Sequence, residues 1–387
     1  MKRRDVLLAA VGGAAVAGLA GLAGLWRISR AAARPATPGP AGWAVVVTKE
    51  MLGAGVVSSR VVLPTIPPVT GSRRAPVASW GRPLPYPVVI ADRRNNRLLE
   101  VTPDKRIVWE FPSPGLGFYR GNEDVNFSPD GRLLAVSEED NYDIHLVDYD
   151  KRALVWSFGV PDVRGSAPGL LNLPDDAHVL EDGMVVTADI RNCRVLIVDP
   201  RTKQIVTQWG KPGRCHHEPP HYLSYPNGVA PLDNGDILLT ELRGSWVSRV
   251  TRAGQVVWSV VAPGVSQPSD AFPTADGQVI VADSVKPGRV VIFDPASQLV
   301  TWEYEAKAGE GMLDSPSLAR ELPGTGDIIV ADGQRDRVVV IDRRTKSVVW
   351  QYGVTDQKGH APGNLNSPDG FDVDVFRDWK GARRPRP

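Results

Sequence analysis

An excess of charge of either sign is missing from this sequence: 45 Lys and Arg stand against 44 Asp and Glu, a formal net charge of +1. No Lys/Arg stripe with interleaved aromatics appears, so nucleic acid is set aside as a partner. Also missing are a phosphate-binding P-loop, a nucleophile-elbow serine, a zinc-protease helix and a dinucleotide fingerprint, which removes the enzyme classes built on them. Cysteine is nearly absent, with Cys193 and Cys215 the only two. What the chain has in plenty is glycine (38) and proline (34), unfavourable to long helices and natural where many short strands meet in turns.

One long apolar run, from Val6 to Trp26, holds about twenty residues, enough to cross a bilayer as a helix. Arg3 and Arg4, followed by Asp5, Val6 and Leu7, resemble the twin-arginine export signal. Ala31, Ala32 and Ala33 offer a cleavage site. Residues 1–33 are therefore expected to be a signal-anchor or twin-arginine signal segment, with a retained anchor preferred to a cleaved signal. Either way the remainder of the chain faces outside the cytoplasm. Residues 34–87 read as a proline-rich linker, and residues 377–387 as a basic tail.

From Val88 the chain repeats itself. Trp109, Trp156, Trp209, Trp258, Trp302 and Trp350 recur at intervals of roughly 45–50 residues, the period of a propeller blade built on β-strands. Each unit has one strand ending in an acid, as in "PVVIAD", "MVVTAD" and "IIVAD". A polar turn follows, then an apolar strand such as "RVLIVDP", then the strand carrying the tryptophan. These runs are β-branched and bounded by Gly, Pro, Asp and Asn. A strand opening with a polar residue precedes units two to six ("EDVNF", "PDDAHV", "PNGVAP", "PSDAFP", "PSLARE"). The first unit lacks one, and "SPDGFDVDVF" at the C-terminal end supplies it. The expected fold is all-β: a six-bladed β-propeller over residues 88–376, closed by a C-terminal strand that completes the first blade and leaves no open edge in the ring.

The segments "ADRRNNRLLEV" and "ADIRNCRVLIVDP" resemble the NHL-repeat family, whose units carry an aspartate followed by an Asn-Asn-Arg-like turn. The pairs Asp92/Arg97, Asp189/Arg194 and Asp332/Arg337 share one offset, and are expected to be ion pairs stapling neighbouring blades. Asp143 and Trp246 hold the arginine's place in the second and fourth units. The strand "DKRIVWEF" is also similar to arylsulfotransferase-like and quinoprotein-like propellers.

Three groups of residues are candidates for chemistry. "GRCHHEPPHYLSYPNG" (213–228) links the third blade to the fourth on the face that usually holds a propeller's site. Cys193 lies on the same face, so a Cys193–Cys215 disulfide is expected of an exported domain, against free thiols or a metal-bound Cys215. His217 and His221 read as solvent-facing imidazoles, metal ligands or groups contacting a substrate. At the start of the inner strands, Glu123, Asp175, Asn227, Ser269, Ser317 and Asp369 offer six oxygens around the channel mouth, suited to a hard cation. "YPNGVA" and "SPDGF" resemble gluconolactonase-like and paraoxonase-like hydrolases. That resemblance implies a catalytic Ca2+ on Glu123, Asn227 and Asp369, with Asp175 nearby. Deeper in the channel, His178, Arg320 and Asp372 are unusual for inner strands. The arylsulfotransferase resemblance implies a catalytic histidine and a sulfate-binding arginine, His178 and Arg320, against a structural, hydrogen-bonded His178.

The expected function is a membrane-tethered, extracytoplasmic binding or scaffolding module. Its partner would be a protein or small molecule at the channel-mouth face. The alternative is a propeller enzyme, a calcium-dependent lactonase-like hydrolase or a sulfotransferase. A channel lined by converging titratable groups favours the enzyme; a plugged channel favours the scaffold.

Overall fold

The computed structural model describes residues 73–74, 84–112 and 119–377, all strand, turn and short 3-10 helix. The expected signal or anchor segment lies outside the described residues, as do nearly all of the linker and the tail beyond Arg377. No described helix is long and apolar enough to cross a membrane.

Six antiparallel sheets make six blades. The second blade shows the plan. Asn122–Phe127 is innermost, followed outward by Leu133–Glu138, Asp143–Asp148 and Ala153–Gly159. Their sequences explain the order. The three inner strands are buried throughout, the innermost with polar residues at its start and the next two with apolar runs, while the outermost strand is mostly only partly buried. The first blade closes the ring. Its inner strand is Pro368–Val373, paired with Val88–Asp92 so that Val373 faces Val88 and Pro368 faces Asp92. The closing strand expected at the C-terminal end is therefore present.

Two details depart from the sequence reading. Arg73–Arg74, inside the supposed linker, pairs with Arg106 and Ile107 and adds a fifth strand to the outer edge of the first blade. Arg377, placed in the tail by sequence, is 2% exposed. Its guanidinium bonds Asp374 at 3.0 Å and the Gly131 carbonyl at 3.1 Å, and it lies 3.5 Å over the Tyr149 ring. It fastens the end of the closing strand to the second blade.

The repeated tryptophans lie on the fourth strand of each blade, and two of them join neighbouring blades. Trp109 of the first blade donates to the Tyr149 carbonyl of the second at 2.9 Å, and Trp302 of the fifth donates to the Arg343 carbonyl of the sixth at 2.8 Å. The acid–arginine pairs differ from expectation in what they join. Each lies within one blade, for instance Arg337 Nε to Asp332 Oδ2 at 2.8 Å. The same arginine then reaches the Met312 carbonyl, in the loop arriving from the preceding blade, at 2.8 Å. The staple therefore clamps a blade to its incoming loop.

Candidate functional site

The inner strands converge on the channel because each runs from the mouth inward, starting with the polar residues seen in the sequence. At the mouth sits a cation that sequence reading passed over. Arg93, in the polar turn after Val88–Asp92, bonds Asp369 at 2.8 Å and also pairs with Glu123 and Glu139. Burial disfavours its charge. Glu123, Glu139 and Asp369 instead hold the guanidinium charged, well above its ordinary range.

The four residues named for calcium thus divide into two pairs. Glu123 and Asp369 are spent on Arg93, while Asn227 donates its amide to Asp175 and, at 3.4 Å, to Asp270. Asp124, Asp175 and Asp270 bring carboxylate oxygens within 4.8 Å of one another, all buried. Burial first pushes Glu123, Asp124, Asp175 and Asp270 well above the carboxylate range; the other carboxylates add to it, and Arg93 opposes it at Glu123. Such a group holds protons in place of a full set of charges. Two glycines allow the crowding: a Cβ at Gly370 would fall 2.2 Å from Asp124 Oδ1, and one at Gly228 2.5 Å from Asp270 Oδ1. Ser317 donates to the Asp369 carbonyl at 2.6 Å, and Ser269 is only partly buried.

A second tier crosses the channel below the first. Asp372 accepts from Arg320 Nη1 at 2.6 Å, and Arg320 Nη2 donates to Asn126. Asn126 in turn donates to Asp176 at 2.9 Å, and Asp176 meets His178 Nε2 at 3.0 Å. Phe272 lies under the Arg320 guanidinium at 3.9 Å and edge-on to His178. Burial opposes ionisation of Asp176, yet His178, the Val229 amide and Arg320 bring it below the usual range. His178 and Arg320, named as catalytic candidates, are thus brought into one hydrogen-bonded network with Asp372, Asn126 and Asp176.

The loop 213–228 separates its histidines. Cys215 is joined to Cys193, with Cα atoms 5.3 Å apart. His216 and His221 are exposed. His217 turns inward: Nδ1 lies 2.7 Å from Glu241 Oε1, Nε2 lies 3.1 Å from Ser259 Oγ, and the ring stacks on Trp246 at 3.8 Å. Trp246 stands where other blades place arginine, and His217 supplies the missing N–H to the buried acid. Ser259 Oγ is also bonded to Ser248 Oγ at 2.7 Å. The Glu241–His217–Ser259 chain resembles a nucleophile relay in its distances, but it does the work of the acid–arginine staple.

Sequence reading missed Arg93, Glu139, Asp124, Asp176 and Asp270. The last three occupy the inner-strand position next to the one examined, so a signal for them was present. Arg93 carried none, because its partner Asp369 lies 276 residues away.

Among known proteins, a family model described as outer membrane protein assembly factor BamB matches residues 191–370, somewhat under half of the chain. No curated protein matches in sequence. A protein of unknown function from Bacteroides caccae is similar in fold at 18% identity, covering 75% of this chain and 99% of its own, with a TM-score of 0.54. A chain in the nidogen/laminin complex is similar at 11% identity, covering 75% and 98%, with a TM-score of 0.53. Virginiamycin B lyase from Staphylococcus aureus, at 13% identity over 72% of this chain and 88% of its own, has a TM-score of 0.48, too low to bear on function. The first two likenesses speak to the propeller fold alone.

Proposed function

We propose that the chain is a binding module of the cell envelope that engages a protein partner and turns over no substrate in its channel. The observation that carries this reading is the filled channel. Arg93 spans the mouth between Glu123, Glu139 and Asp369, and each member of the tier from Asp372 to His178 is bonded to a neighbouring side chain of the same tier. A catalytic channel needs groups left free for a substrate. Here the titratable groups converge, as the enzyme alternative requires, but they converge on one another.

Two further features support the reading. The only two cysteines are paired, which suits an oxidising compartment and hence export. Six of the seven large apolar side chains exposed among the described residues are Val155, Val206, Val257, Val261, Leu299 and Val300, all on the outermost strands of blades two to five. Those strands end their sheets, and an exposed apolar sheet edge favours a partner's strand or loop. The BamB match agrees with an assembly or docking role in the envelope.

The test is site-specific photo-crosslinking from positions 206, 257 and 299 of the full chain in its native envelope. Discrete protein adducts are expected at the rim and none from exposed polar positions such as Glu218. The reading fails if purified full chain hydrolyses a lactone or an aryl sulfate and loses that activity in Glu123→Gln or His178→Ala.

A further inference from the structure

Five blades place a side-chain nitrogen against the buried acid that ends their second strand. Arg97 serves Asp92 at 2.7 Å, Arg194 serves Asp189 at 2.7 Å, Arg289 serves Asp283 at 2.6 Å, Arg337 serves Asp332 at 2.8 Å, and His217 serves Glu241 at 2.7 Å. The second blade has no arginine there. Its acid is Glu138, and the position that holds arginine in four of the others holds Asp143, a second carboxylate. Both are buried, at 0% and 1% exposure.

Around this pair the polar groups are left short of partners. His145, two residues along the strand, brings Nε2 to 2.8 Å from Asp143 Oδ2 and 3.7 Å from Glu138 Oε2. One ligand atom each from Glu138, Asp143 and His145 lie within 4.8 Å of one another. Asn141 donates its amide to Glu138 Oε2 at 2.8 Å and to Asp143 Oδ1 at 3.1 Å, fixing both carboxylates in place. Glu138 Oε1, His145 Nδ1 and the Tyr119 hydroxyl are buried without a hydrogen-bond partner. Tyr119 is 2% exposed, lies edge-on to His145 with ring centres 6.0 Å apart, and feels the charge of both carboxylates. In the other blades the second oxygen of the acid accepts a backbone amide from the incoming loop, for instance Asp92 from Asn366 and Asp189 from Asn172. Glu138 Oε1 has no such bond.

We propose that the second blade carries a structural site for a first-row divalent cation, held by Glu138, Asp143 and His145 in the place of the missing guanidinium. The charge balances: two carboxylates and a neutral imidazole cancel a 2+ ion. Ligand separations of 2.8 and 3.7 Å bracket the roughly 3.2–3.5 Å edge of a tetrahedron with metal–ligand bonds of about 2.0–2.1 Å. An imidazole with two carboxylates suits Zn2+ or Mn2+, whereas Ca2+ takes oxygen ligands alone. Asn141 is the outer partner that orients the ligating carboxylates. Because the site is closed over, the ion binds as the blade folds and holds the acid-ended strand as arginine does elsewhere.

The test uses the full chain, purified, unfolded and refolded in the presence of Zn2+, Mn2+ or Ca2+ in turn, desalted and measured for metal by mass spectrometry. About one equivalent of Zn2+ or Mn2+ is expected, with an X-ray absorption edge showing one nitrogen among oxygen ligands, and a chelator present during refolding should lower the melting temperature. Asp143→Asn should reduce retained metal by more than about tenfold. Asp143→Arg rebuilds the pairing of the other blades, so it should bind no metal and melt at a temperature indifferent to chelator. The proposal is overturned if the parent chain retains no more Zn2+ or Mn2+ than Asp143→Arg does, or if chelator leaves its melting unchanged. It is also overturned if the metal survives Asp143→Arg but is lost in Asp270→Asn, which would place the ion in the channel.

Discussion

Arg337 shows what one side chain is worth in this fold. It is fully buried, bonded to Asp332, Gln351 and the carbonyls of Glu310 and Met312. Arg337→Ala strands Asp332 without a counter-charge and should cost about 3–5 kcal/mol in urea unfolding. Burial pushes Asp332 up to about 6, with Arg337 opposing. A carboxyl raised on folding stabilises most when protonated, so its contribution is full below about 4 and is lost as pH rises through about 6. The crowded channel acids act in the same direction. The melting temperature should therefore rise, not fall, when pH is lowered from 7 to 5, and Asp332→Asn should flatten part of that slope. His217 gives a sharper contrast. His217→Ala leaves Glu241 buried with one partner fewer and should cost about 2–4 kcal/mol, whereas Ser259→Ala should cost under about 1.5 kcal/mol. Equal losses would mean the serine is more than a passive acceptor's neighbour. The Asp92/Arg97 type of pair was legible in the sequence because both partners lie on one hairpin. The pairing of Arg93 with Asp369 was not, because only ring closure brings the two together.

At the scale of elements, the strands were legible because β-branched runs, terminal acids and tryptophans repeat with one period. The histidine loop was less so. Its length placed it on the channel-mouth face, but nothing in its composition said that His217 alone would turn inward. The reason lies in the fourth blade, where Trp246 displaces the arginine and creates a vacancy for an N–H donor beside Glu241. The disulfide ties this loop to the turn holding Cys193, closing 22 residues of sequence separation. In the chain-entropy account a loop of that length is worth about 3 kcal/mol. Replacing both cysteines by serine should lower stability by about that amount and make residues 211–225 the first point of cleavage in limited proteolysis. Cleavage elsewhere first would show that the bridge does not govern this loop.

For the whole molecule, closure is the decisive contact. Truncation after Asn366 removes Pro368–Val373, exposes one edge of Val88–Asp92 and deprives Arg93 of Asp369. The cooperative melt should be lost, and an unchanged melt would refute the closure. Arg377→Ala is the milder version. It leaves Asp374 and Glu100 buried without their cation and should cost about 3–5 kcal/mol while the ring still closes. The six blades, their order and the closing strand were all legible in the sequence, since each rests on a repeat. How the channel is filled was not, since its bonds run between blades.

The pairing of Val88–Asp92 with Pro368–Val373 also sets a timetable. One partner is among the first parts of the domain to be synthesised and the other is the last. At ~5–20 residues per second, the roughly 280 residues between them take on the order of 15–60 s to make. Throughout that interval the first blade presents an unpaired inner edge, and Glu123 and Arg93 wait for Asp369. A nascent propeller of this design is therefore obliged to be either kept unfolded or shielded until its final strand arrives, which makes the cell's holding factors as much a condition of the fold as any residue in it.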